Sequence, residues 1–140
     1  MAIYYWRGLT GSTWGTAGNW STGSTSTLGG AVPTNADDLI FDANSSACTV
    51  DTTTRVCKSI NFSAYTNTIT MTFGLSVGAT GAAGVQVILG SGMTINGTGS
   101  LNLASVNTIL RSNGKFWPNS LVLAQAILSN QMFPTWGVTS

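Results

Sequence analysis

The sequence predicts an all-β fold, and three observations lead there. Short apolar runs recur every eight to twelve residues or so between positions 38 and 110, a spacing typical of short strands. Gly, Asn and Ser punctuate nearly every gap, among them Gly78, Gly81, Gly84, Gly90, Gly92, Gly97, Gly99 and the pair Asn113-Gly114, all strong turn formers. The clearest run, TITMTF, alternates Thr68, Thr70 and Thr72 with Ile69, Met71 and Phe73. A period of two puts the apolar set on a core face and the threonines on the other.

The chain opens on a different pattern. In YYWRGLTGSTWGTAGNW, Trp6, Trp14 and Trp20 fall eight and six residues apart with glycines between them, which is neither a helical nor a strand period. This predicts an irregular cap whose flat rings close one end of a β structure, since indoles bury much apolar area without a regular partner. Residues 21–31, STGSTSTLGGA, bury little and read as an exposed loop or arm ending at Pro33. Residues 1–36 thus form a Trp-rich cap and arm, and 37–115 the strand body. Residues 116–140 form an apolar C-terminal segment expected at an interface.

In the body, strands are predicted at Asp38 to Asp42, Cys48 to Val50, Val56 to Phe62 and Thr68 to Phe73, and then at Leu75 to Val77 and Val85 to Leu89. Met93 to Ile95, Leu101 to Leu103 and Thr108 to Leu110 complete the set. Leu121 to Leu128 (LVLAQAIL) reads as a buried strand or a two-turn helix. Non-core positions carry Gly, Asn, Ser and Thr rather than Lys or Glu, and small polar residues can stack on their own copies without like-charge repulsion. The pattern therefore predicts a short parallel β-solenoid, with a β-sandwich or jelly roll as the alternative. Apolar groups near the last residue, Met132, Phe133, Pro134 and Trp136, with the corner Phe116-Trp117-Pro118, suggest cover by a second subunit or a longer chain.

Composition narrows function. The charged fraction is 6%, where soluble domains average about 25%, and the net charge is +1. Scattered Arg7, Arg55, Lys58, Arg111 and Lys115 make no phosphate-binding patch, so no nucleic-acid partner is expected. No apolar run reaches the ~20 residues of a spanning helix, and no signal segment opens the chain, so no membrane partner is expected either. Few surface charges suit a subunit covered by neighbours.

With no His and no Glu, acid or base candidates reduce to Asp37, Asp38, Asp42, Asp51 and the tyrosines, and a nucleophilic Ser or Cys has no His to activate it. Asp37 and Asp38 beside Asp42 could form a glycosidase-like carboxylate pair, but turn hydrogen bonds at a strand start explain them better. No catalytic residue, metal or cofactor is expected: Asp37, Asp38, Asp42 and Asn44 lack the spacing of a calcium loop, and Cys48 and Cys57 read as small buried hydrophobes, a disulfide between them being open only if their strands bring them together. The sequons at Asn19, Asn44, Asn61 and Asn96 are matches expected by chance in such a composition. Thr66, Thr68, Thr70 and Thr72 make a possible ligand face for sugar or ice, against the plain reading that Thr suits an exposed strand.

The opening YYWRG, W, GNW, the Gly/Ser/Thr arm and PTNADDLIFD, followed by short strands, resemble β-solenoid proteins of bacteriophage fibres and virion surfaces, and are similar to autotransporter-like adhesin repeats. The likeness is best over Tyr4 to Phe62. It implies a non-enzymatic structural or adhesive role, often as a homotrimer. Fibres usually continue for many more coils than 140 residues allow, which favours a capsid decoration or cement subunit on the virion surface. A fibre or fibre-anchoring segment for host attachment is the alternative, and a carbohydrate- or ice-binding β-module a third reading. Partners are then further copies of the chain and the major capsid protein or another virion protein. Trp6, Trp14, Trp20, Phe116, Trp117, Phe133 and Trp136 are the expected interface anchors.

Overall fold

A computed structural model describes residues 2–24, 30–78, 84–104, 108–115 and 121–123. Within them the chain is all-β apart from one 3-10 turn at Ala17–Asn19. The strands are β1 (Ile3–Trp6), β2 (Trp20–Ser21), β3 (Asp38–Ile40), β4 (Cys48–Val50), β5 (Arg55–Cys57), β6 (Ser59–Asn61) and β7 (Thr68–Met71). They continue with β8 (Leu75–Val77), β9 (Gly84–Ile88), β10 (Thr94–Gly97), β11 (Leu101–Leu103), β12 (Thr108–Arg111) and β13 (Leu121–Leu123).

Three sheets result, a six-stranded one in the order β12-β9-β6-β3-β1-β2, a three-stranded one β10-β7-β4 and a four-stranded one β13-β11-β8-β5. The chain visits them in turn. From β3 to β9 each strand pairs in parallel with the strand three later, so the crossover that parallel pairing requires is supplied by the two strands in between, whereas β11 pairs with β13, two strands later.

Register aligns like with like across the sheets. Leu39 lies beside Ile60, Ile60 beside Val87 and Val87 beside Leu110. Cys48, Ile69 and Ile95 form a second row, and Cys57, Val77 and Leu103 a third. These side chains, with Val50, Met71, Leu75, Leu89, Met93 and Leu101, form one continuous core. Every fully buried position in β4, β6, β7 and β11 follows the period of two that the sequence displays.

The structure corrects several expected boundaries. The run from Val56 to Phe62 is two strands, β5 and β6, parted at Lys58, because Cys57 belongs to the four-stranded sheet and Ile60 to the six-stranded one. Strand β7 stops at Met71. The amides of Thr72 and Phe73 both donate to the carbonyl of Val50, at 3.2 and 3.3 Å, so the alternation breaks and Phe73 turns outward, 41% exposed, instead of entering the core. The opening stretch is less irregular than its spacing suggests: β1 pairs in parallel with β3, and β2 folds back antiparallel on β1. LVLAQAIL begins as a strand at Leu121–Leu123, and its remaining residues lie outside the described ones.

Two turns show local chemistry fixing the path. Asn113 and Gly114 both have positive φ, 46° and 79°, the backbone of a tight turn for which Asn-Gly is suited. The Asn113 carboxamide also donates to the carbonyl of Leu89 at 2.7 Å, tying this turn to the preceding layer. At Gly90 the backbones touch so closely that a Cβ would sit 2.1 Å from the carbonyl oxygen of Phe62.

Core and surface should respond differently to truncation. Ile69→Ala removes a fully buried side chain from the central strand of its sheet and should cost about 2–5 kcal/mol in urea unfolding. Val56→Ala, at a position 36% exposed, should stay within about 0.5 kcal/mol. Equal losses would contradict the placement of the core.

Candidate functional site

The three early tryptophans converge on Phe41. Trp6 and Trp14 each meet the edge of Trp20, with ring centroids 5.0 and 4.9 Å apart, and all three rings lie 5.9 Å from Phe41. Phe62 and Tyr65 extend the cluster, at 4.6 and 5.3 Å from Phe41. Trp6 and Phe41 are stacked and the other pairs edge-to-face or tilted, arrangements worth about 0.5–1.5 kcal/mol per pair beyond the buried area. The indole of Trp6 donates to the carbonyl of Ser46 at 3.0 Å, and that of Trp20 to the carbonyl of Trp14 at 2.8 Å.

All three indoles are at most 1% exposed. Their expected role as anchors for a partner is therefore corrected: rings buried inside their own chain have no area left to offer. The remaining expected anchors, Phe116, Trp117, Phe133 and Trp136, lie outside the described residues. Among the described residues, the large apolar side chains that face outward are Ile3, Leu9, Val56 and Phe73.

The acidic candidates are all engaged. Asp42 receives a two-pronged contact from Arg7, 2.8 Å to one oxygen and 2.9 Å to the other, the geometry that suits a guanidinium and a carboxylate. Arg7 is 4% exposed; it also donates to the carbonyls of Trp6 and Ser24, and its guanidinium lies 5.1 Å from the centre of the Tyr5 ring. Asp37 accepts from the amides of Ala2 and Thr34 and the Thr34 hydroxyl, at 2.9, 3.0 and 2.8 Å. Asp38 meets Lys58 at 3.2 Å and accepts from Ser59. Asp51 pairs with Arg55 at 3.0 Å and accepts from the amide of Gly15.

These bonds set the acidities. Burial alone pushes the Asp42 carboxyl up, but Arg7, the Asn44 amide and Ser45 outweigh it and hold the group below the usual range. Asp37 and Asp51 follow the same pattern, burial being outweighed by Thr34 and Ala2 in one case and by Gly15 and Arg55 in the other. Asp37 holds the turn before β3 through Thr34 and ties it to Ala2, while Asp38, expected to bond within that turn, reaches instead to Lys58 and Ser59; taking up a proton at Asp37 or Asp42 would weaken contacts that hold loops in place.

Cys48 and Cys57 are unbonded and buried, and burial raises both thiols, further helped by Asp51 near Cys48 and Asp38 near Cys57. Burial likewise raises the Tyr65 phenol, whose one hydrogen lies within bonding reach of two carbonyls, those of Ser46 at 2.9 Å and Thr68 at 2.8 Å. Among the described residues no three His, Cys, Asp or Glu side chains come close enough to hold a metal ion, and no helix is long and apolar enough to cross a membrane.

The threonines form more of an arrangement than their sequence suggests. Strand β7 is central in its sheet, so its outward Thr68 stands beside Thr94 of β10, and Thr70 stands between Thr49 of β4 and Asn96 of β10. Thr13 bridges to Thr49 and adds a rung. Thr66 and Thr72 lie beyond the ends of β7, and both are exposed. Sequence reasoning singled out one row; Thr13, Thr49, Thr94 and Asn96 could be found only by knowing which strands are neighbours.

Compared with protein-family models, with curated proteins and with solved structures, the chain matches none.

Removing the partner of the buried guanidinium should be costly. Asp42→Ala leaves Arg7 buried and uncompensated, and about 3–5 kcal/mol of stability should be lost in denaturant unfolding. Acid should act in the same direction. Carboxyls held low when folded, at Asp37, Asp42 and Asp51, stabilise the fold above the unfolded value of about 3.9, and this contribution is lost as pH falls through the folded values. With no His in the chain, Tm should be flat from about pH 5 to 8 and fall below about pH 4. Native protein should also resist a thiol-alkylating reagent at both cysteines and react fully once unfolded, a contrast read by intact mass.

Proposed function

We propose that the chain is a short parallel β-solenoid serving as a non-enzymatic structural protein of a bacteriophage virion, a capsid decoration or cement subunit that associates with copies of itself and with the shell. The observation that carries the solenoid reading is the parallel pairing of each strand from β3 to β9 with the strand three later, across three sheets and in register but for one shift between β9 and β12. That pattern is how a coil stacks on the next coil. The virion reading rests on the opening motif and on the near absence of charge.

The carboxylates support a structural rather than a chemical role, because each is engaged in a contact that joins segments distant in sequence or shapes a loop. On this reading the tryptophans close the first coil, and contact with neighbours falls to outward groups such as Ile3, Leu9 and Phe73. Trp20→Ala should then unfold the first coil, lowering stability by about 3–5 kcal/mol, rather than weaken docking of an intact subunit.

The role is tested by the copy number of this chain relative to the major capsid subunit in purified particles, measured by quantitative peptide mass spectrometry. Comparable numbers are expected. A few per cent of the capsid count points instead to a fibre or its anchoring segment, and absence from particles overturns the virion reading.

A further inference from the structure

The outward face of the three-stranded sheet is a small two-dimensional lattice. Ile69 and Met71 are fully buried, so alternation sends Thr68 and Thr70 to the opposite face. Parallel pairing then sets Thr13, Thr49, Thr70 and Asn96 in one row across the strands and Thr68 with Thr94 in the next. Strand geometry fixes the repeats at about 4.8 Å across the strands and about 6.7 Å between alternate residues along them.

A second observation concerns bonding capacity. Some hydroxyls are used inside the chain, as at Thr10, Thr34, Ser45, Ser46 and Ser59, and Thr49 of the row itself meets Ser12 at 3.4 Å. Among the described residues, no bond within the chain engages the hydroxyls of Thr13, Thr68, Thr70 or Thr94. No Asp, Lys or Arg occurs in β4, β7 or β10. The threonine rows therefore offer repeated donors, acceptors and methyl groups without charge, and the Asp51–Arg55 ion pair stands at their Thr72 end.

Size and shape limit what can fill it. Three strands of three or four residues and one bridged residue cover at most roughly 300 Å², well below the ~800 Å² per partner of a stable protein interface. Small molecules are held in concave pockets, and this is a sheet surface. A ligand that suits equal, weak and regularly spaced contacts is itself flat, uncharged and periodic.

We propose that this face binds the surface of ice. Ice planes present hydrogen-bonding oxygens at repeats of this size, so one water layer can bridge hydroxyl rows and lattice together. Threonine is stiff at χ1, which fixes hydroxyl and methyl before contact and limits the ordering cost of adsorption. The inference is independent of the virion reading, since it concerns one sheet face of the folded chain and not its neighbours in a particle.

The experiment grows single ice crystals in solutions of the full chain at matched concentrations. Wild type is compared with Thr70→Lys, which puts a strongly hydrated charge mid-lattice, and with Ser63→Lys, the same charge on an exposed turn elsewhere. Wild type and Ser63→Lys should facet the crystals and open a gap between melting and growth temperatures, and Thr70→Lys should lose both with an unchanged circular dichroism spectrum. Thr94→Lys, at an exposed position on β10, supplies the same reading if Thr70→Lys folds poorly. Crystals that grow round in wild type, or faceting that survives the lysines at Thr70 and Thr94, overturn the proposal. Copy number in particles is read separately and does not depend on either result.

Discussion

Most of this structure depends on one constraint: each strand from β3 to β9 must lie in matching register beside the strand three later. A slip of one residue along β7 would exchange Ile69 and Met71 for Thr68 and Thr70 in the core and place hydroxyls against Val50 and Cys48. The penalty applies on both sides at once, because β7 is flanked by β4 and β10. Register is thus enforced by burial, and the same enforcement aligns the outward residues. The threonine rows follow from the core's own alignment.

The aromatic cluster solves a different problem. Strand β1 adds a further strand to the six-stranded sheet, but the segment after it is too rich in glycine to build a regular layer. Flat rings close the space instead, with Phe41 at their centre and the two-pronged Arg7 to Asp42 contact tying the end of β1 to the loop after β3. The buried guanidinium places demands on its surroundings, met by two carbonyls and the Tyr5 ring as well as the carboxylate.

Much of this was legible in the sequence, and the reasons are local. Alternation in TITMTF and LNL, and Asn-Gly at positions 113 and 114, are properties of a few adjacent residues. What the sequence hid is long-range. Nothing near Val56 to Phe62 announces that Cys57 and Ile60 belong to different sheets, because a corner between sheets needs only one residue, here Lys58, and leaves the apolar rhythm intact. The tryptophans looked available to a partner because their spacing fits no regular element; their true partner, Phe41, lies 21 residues beyond the last of them. Arg7 and Asp42 were equally unreadable as a pair, 35 residues apart.

The reversal at β2 has one further consequence. Every other pairing in the six-stranded sheet is parallel, so an incoming chain built to the same pattern would meet a two-residue antiparallel edge whose bonding groups are spaced for the wrong direction. The β2 edge of that sheet is therefore a poor template for a further parallel strand, which disfavours strand-by-strand addition there in a protein with so little charge to hold copies apart.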